Sequence, residues 1–118
     1  MRMNEVQFDE SAPVDGYGPG FFRVGGKVFQ GAVLLLPSGA STWGGYDDPD
    51  ALVAVAEEVD VLLLGTGAEI AHPPGTLRRA VEAAGLGLEV MASPAACRTY
   101  NVLLAEGRRV GAAMLPVS

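Results

Sequence analysis

The sequence predicts an α/β domain in which helices pack on a largely parallel central sheet, with an antiparallel hairpin toward the N-terminus. Two observations carry this. The second half alternates apolar runs with helical segments in the order strand, helix, strand, helix, strand. The N-terminal third is rich in glycine and in β-branched or aromatic residues, with Gly25-Gly26 set between two short apolar segments. The longest apolar runs, Val33–Leu36 and residues 61–64, are far too short to span a bilayer.

Taken in order, residues 15–20 hold three glycines and a proline and read as an irregular loop. Phe21-Phe22-Arg23-Val24 and Lys27-Val28-Phe29-Gln30 read as two strands around the Gly-Gly turn. The second is expected to continue through Val33–Leu36 to Pro37, with Gly31 as a bulge or a point of close backbone contact. Asp48-Pro49-Asp50 supplies a cap and a first-position proline for a short helix over 51–58, with Leu52, Val55 and Ala56 on one side.

Residues 61–64 form a continuous apolar run, as in a buried central strand, ended by Gly65-Thr66-Gly67. Pro73-Pro74 opens a helix carrying Leu77, Ala80, Val81 and Ala84, and Gly85 stops it. Residues 86–91 are the next strand. Ser93 is expected to cap, and Pro94 to start, a helix running to Glu106, with Gly107 as its stop. Val110–Leu115 is the last strand. The hairpin then either makes the central sheet mixed or covers one of its faces. The 118 residues are expected to form one domain, without repeats or linkers.

Composition excludes several classes. Fourteen acids against eight bases give a net charge of −6, a field that repels a phosphate backbone, so nucleic acid is not expected as a partner. Apolar residues make up 49% of the chain, which argues against disorder. Residues 1–10 hold three acids and no apolar stretch, so neither a signal peptide nor a mitochondrial targeting segment is expected. One cysteine and one histidine leave too few ligands for a metal site and no internal disulfide, which suits a reducing cytoplasm; no cofactor is expected.

Ligands of open α/β sheets lie beyond the carboxyl ends of the strands. Two such ends are visible, Gly65-Thr66-Gly67 and Met91-Ala92-Ser93. If the two strands are parallel neighbours, the turn and the start of the following helix lie side by side. The helix start reads Cys97-Arg98-Thr99-Tyr100-Asn101. Free N–H groups and the positive helix end would favour an anion or a Cys97 thiolate, with added charge from Arg98 and hydrogen bonds from Tyr100 and Asn101. Equally, Cys97 shares a helix face with Leu104 and can serve as a small buried hydrophobe. Gly-Thr-Gly is neither a Walker A loop nor a dinucleotide fingerprint. Glu69 and His72 follow the turn, either reaching the same cleft or solvated. Tyr17 and Trp43, each near glycines, either anchor a protein partner or close the edge of the core.

The order and spacing of Gly16-Tyr17-Gly18-Pro19-Gly20-Phe21, the Gly-Thr-Gly turn, Leu88-Glu89-Val90-Met91, Ala96-Cys97-Arg98-Thr99-Tyr100-Asn101 and Glu106-Gly107-Arg108 resemble the Mth-type (MTH938-like) family of unknown function, from about Val6 to Pro116. Mitochondrial members of that family include an assembly factor of respiratory complex I. The resemblance implies a three-layer α/β fold with a mixed central sheet. It also implies a cleft lined by Gly65, Thr66, Gly67, Cys97, Thr99, Tyr100 and Asn101. It supplies no reaction. Ala92 stands where the family pattern leads one to expect an acid. Seven arginines to one lysine suit a bacterial protein.

Two functions are therefore expected. One is a non-enzymatic interaction module that helps assemble a membrane-associated complex, cytoplasmic or held at the membrane through its partner. The other is a small-molecule or anion-binding protein, with or without catalysis, using the cleft at Thr66 and Cys97.

Overall fold

The computed structural model describes residues 11–118. The acidic stretch 1–10, and the part of the resemblance that begins at Val6, lie outside the described residues. Eight strands are described: β1 (Val14–Gly18), β2 (Phe21–Val24), β3 (Lys27–Gln30), β4 (Val33–Leu36), β5 (Gly39–Thr42), β6 (Val61–Thr66), β7 (Gly87–Met91) and β8 (Val110–Leu115). They are joined by helices α1 (Asp50–Ala54), α2 (Gly75–Ala83) and α3 (Ser93–Ala105), with single 3₁₀ turns at Gly45–Asp47 and Ala56–Glu58.

The central sheet has the order β5-β4-β8-β6-β7. β6 is parallel to both β7 and β8, whereas β4 is antiparallel to β5 and β8. The sheet is mixed, and only its β8-β6-β7 part is parallel. The N-terminal strands do not join it. β1, β2 and β3 form a separate antiparallel sheet.

Side chains alternate across the central sheet, as the period of two requires. Val33 and Leu35 of β4, Leu63 of β6, and Val110, Ala112 and Met114 of β8 face one core, with Phe22 and Val24 of the small sheet and Ala96, Cys97 and Tyr100 of α3. Leu34, Leu36, Leu62, Leu64 and Ala113 face the other, with Trp43, Leu52, Leu77 and Val81. The result is three layers: α1 and α2, the central sheet, then α3 with the small sheet. Topology explains the split. The step β6–α2–β7 goes to one side of β6 and β7–α3–β8 returns past it, so two right-handed crossovers must lie on opposite faces.

Several expectations are corrected. The segment read as a loop over 15–20 is mostly strand, because Gly16, Tyr17 and Gly18 pair with Arg23, Phe22 and Phe21. The expected long second strand is two strands in different sheets. Gly31, at φ +82°, turns the chain between them. The helix expected over 51–58 is α1 followed by a 3₁₀ turn, broken at Val55 (φ −111°), with Pro49 at the N-cap. Ser93 is not a cap. Ala92 holds that position with no side-chain bond, and Ser93 and Pro94 occupy the first turn.

Candidate functional site

The turn after β6 and the start of α3 are adjacent, as the parallel pairing of β6 with β7 requires, but the space between them is filled. Ser93, fully buried, carries its hydroxyl into it. The Ser93 Oγ accepts from Gly67 N–H at 2.9 Å and donates to the Leu115 carbonyl at 2.5 Å. The Ser93 N–H donates to the Gly67 carbonyl at 2.8 Å. One residue thus ties the Gly-Thr-Gly turn, α3 and the end of β8 together. Gly65 is glycine because a Cβ there would lie 2.7 Å from Ser93 Oγ and 2.9 Å from Met114 Cγ. The Thr66 hydroxyl is also engaged. It lies 2.7 Å from the Glu69 carbonyl and 3.3 Å from that of Met91, and accepts from Ala71 N–H at 3.1 Å.

Cys97 is 4% exposed, its Sγ 3.7 Å from Met114 Sδ. Burial pushes its thiol up to about 11, against a small lowering by the Arg98 charge. A group in that state is a thiol at neutral pH, not a nucleophilic thiolate. Alkylation of folded protein by iodoacetamide should therefore be slow at neutral pH, with a midpoint near 11. Linkage gives a second expectation. The ordinary value is 9.0, so the protonated thiol contributes stability that is full below that pH and is lost as pH rises through about 11. Urea midpoints across this range should fall more steeply for the wild type than for Cys97→Ala.

Tyr100 is buried in the same core, and Thr99 is half-buried on α3. Asn101 bonds both backbone groups of Val14: its Oδ1 accepts from the N–H at 2.8 Å, and its Nδ2 donates to the carbonyl at 3.0 Å. Asn101→Ala should cost about 1–2 kcal/mol. Faster amide exchange confined to β1 is the measurement that would show where the loss falls.

Tyr17, Cys97, Arg98 and Asn101 are brought together. With Val14, Asp15, Gly16 and Pro94 they line a groove of about 290 Å³ between β1 and α3. Gly65, Thr66 and Gly67 do not reach it. Trp43 lies on the other side of the sheet, 6% exposed, its indole N–H donating to the Asp48 carbonyl at 3.0 Å and its ring edge-on to Tyr46. It closes the core there and presents almost no surface. His72 is exposed beside Ile70, Ala71, Arg78 and Val90. Glu69 is exposed after the turn. The role of Ser93 is not legible in the sequence, since a serine before a proline at a helix start carries the same signal whether it caps or bonds across.

Two cores on either side of a mixed sheet, with the turn after β6 bolted to α3, define a three-layer α/β protein of the Mth938-like kind. The chain belongs to the family described as protein of unknown function (DUF498/DUF598), whose profile matches residues 14–115. An uncharacterized protein of Rhodobacter capsulatus is 51% identical over 99% of this chain and 94% of its own length. NADH dehydrogenase [ubiquinone] 1 alpha subcomplex assembly factor 3 of Bos taurus is 33% identical over 87% of this chain. The match spans 60% of that assembly factor's length.

Among solved structures, a Bartonella henselae protein described as an outer membrane protein superposes with a TM-score of 0.83 at 34% identity, covering 95% of this chain and all of that one. A Bordetella pertussis protein described as a Mth938-like domain gives 0.72 at 29% identity, covering 95% of this chain and 92% of that one. No helix among the described residues is long and apolar enough to cross a membrane.

Proposed function

We propose that this protein is a non-enzymatic assembly factor, a single Mth-type domain that binds protein components of a membrane-associated complex of the NADH:ubiquinone oxidoreductase kind while that complex is built. It works in the cytoplasm and reaches the membrane through its partner. The observation that carries the reading is the similarity of 87% of this chain to the Bos taurus assembly factor. The geometry adds support. The Thr66 and Ser93 hydroxyls and the Gly67 N–H are spent on internal bonds, and burial keeps Cys97 protonated. An anion between the turn and α3 would have to displace the Ser93 hydroxyl from Gly67, which weighs against the ligand-binding alternative at that place.

The test is deletion of the gene in its host, with assembled NADH:ubiquinone oxidoreductase measured on native gels and by NADH oxidation in membranes. The expected result is a lowered amount of assembled complex, restored by the gene supplied in trans. Normal levels of complex, with no subunit cross-linked to the protein in cells, would overturn the reading.

A further inference from the structure

We propose that the outer edge of β1 and the groove beside α3 bind a short extended segment of a protein partner, one that carries a carboxylate. This deepens the assembly-factor reading and rests on it for the partner being a protein.

Among the described residues β1 is an outer strand of its sheet, paired only with β2. On its other side the Asn101 amide offers Val14 one acceptor and one donor, as the backbone of a neighbouring strand would. Residues of an antiparallel pair alternate between facing the partner strand and facing away. The two-residue Pro19-Gly20 link makes Gly18 and Phe21 the closing, hydrogen-bonded pair, so the backbone N–H and C=O of Tyr17 face outward. The bulge between Val14 and Gly16 inserts one residue, which is why Val14 and Tyr17, three apart, open on the same side. Asn101 therefore fills the first outward position. The second, at Tyr17, is bonded by no loop, helix or side chain among the described residues.

The groove beside this open position has a chemical direction. Buried Val14 and Cys97 form its floor, and the Tyr17 ring, 43% exposed, stands with Pro94 at its sides. Exposed Arg98 is at the rim and makes no ion pair among the described residues. The other charge in the lining, Asp15, accepts from Gly26 N–H at 2.6 Å and stays negative. Arg98 is thus the charged group of the lining that has no bonded partner among the described residues, in a chain of net −6. At about 290 Å³ the groove is at the lower limit for a small-molecule pocket and suits a side chain or two of an added strand. Backbone bonds at Tyr17, an apolar side chain on the floor and a carboxylate at Arg98 make one consistent occupant.

The test uses the peptide acetyl-Thr-Val-Glu-Val-Thr-amide and its counterpart with lysine for glutamate, titrated into the full chain and followed by amide NMR. The glutamate peptide should shift the signals of Tyr17, Arg98 and Asn101 and slow exchange of the Tyr17 N–H. It should bind about fivefold or more tightly than the lysine peptide. Arg98→Glu should fold as the wild type and reverse that order. An unchanged Tyr17 exchange rate, or equal binding of both peptides, would overturn the proposal.

A photo-cross-linking residue at position 17, or at exposed Val53 on α1, separates the two readings in cells. Complex subunits captured only from position 53 would remove the groove and keep the assembly function. Capture from neither, with the complex at normal levels in the deletion strain, would remove the assembly function, and the peptide result alone would then decide the groove.

Discussion

Replacing Ser93 by alanine is expected to lower stability by about 2–4 kcal/mol, an effect out of proportion to one hydroxyl. The side chain is fully buried and serves two backbone groups, the Gly67 N–H and the Leu115 carbonyl. Alanine removes both partners at once and admits no group in their place. The orphaned Gly67 N–H, which is buried, costs about 1–3 kcal/mol and the part-buried Leu115 carbonyl adds a smaller loss, against a small gain from no longer burying the hydroxyl. For a domain of this size the shift corresponds to about 10–20 °C in Tm. Urea unfolding should show a lower midpoint with an unchanged slope, while exposed Ser41→Ala should lie within error of the wild type. A Ser93→Ala protein as stable as the wild type would mean that the bolt between turn, helix and strand is not what holds α3 against the sheet.

Gly65→Ala should cost about 2–3 kcal/mol by overpacking. The new methyl would meet Ser93 Oγ at 2.7 Å, Met114 Cγ at 2.9 Å and Ser93 Cα at 3.0 Å. Met114 can move, but Ser93 cannot readily, since its N–H and hydroxyl are bonded to the turn and to β8. Two comparisons check the cause. In Gly75→Ala the nearest atom, at 3.0 Å, is the far end of the flexible Arg79 side chain, so that change should be close to neutral. The double variant Gly65→Ala, Ser93→Ala should lose less than the sum of the two, because the clash with Oγ disappears with the hydroxyl. Additive losses would show that the two sites are independent.

How much of this was legible in the sequence depended on whether the signal was local. β8 is legible over Val110–Leu115, the stretch it occupies, and β7 and α3 to within a residue, because their apolar period, Pro94 and the stop glycines Gly85 and Gly107 sit in or beside the segments. β1 is not legible as a strand. A strand with glycines at 16 and 18 carries no propensity of its own and is held by pairing with β2 and by Asn101, 87 residues away. β5, Gly39-Ala40-Ser41-Thr42, carries no strand signal for the same reason, its order coming from β4.

The candidate site divided in the same way. Sequence placed Cys97, Arg98, Tyr100 and Asn101 at the start of a helix after a strand end, and α3 begins there. It could not say which of them faced the core. Cys97 and Tyr100 do, Arg98 faces outward, and Asn101 crosses to β1. Nor could it bring Tyr17 to Arg98 or set Trp43 on the opposite side of the sheet.

By itself, then, the sequence determined the α/β class, the alternation of the second half, the place of α3 and, through its motifs, the family. Periodicity and end signals are properties of neighbouring residues and survive without a fold. The tertiary structure alone decided that the hairpin forms a separate sheet with β1, that β8 inserts between β4 and β6, and that Ser93 closes the cleft at the turn while a groove opens beside β1. Each of these depends on which surfaces meet across tens of residues, and a close approach such as that of Gly65 to Ser93 exists only once they have met.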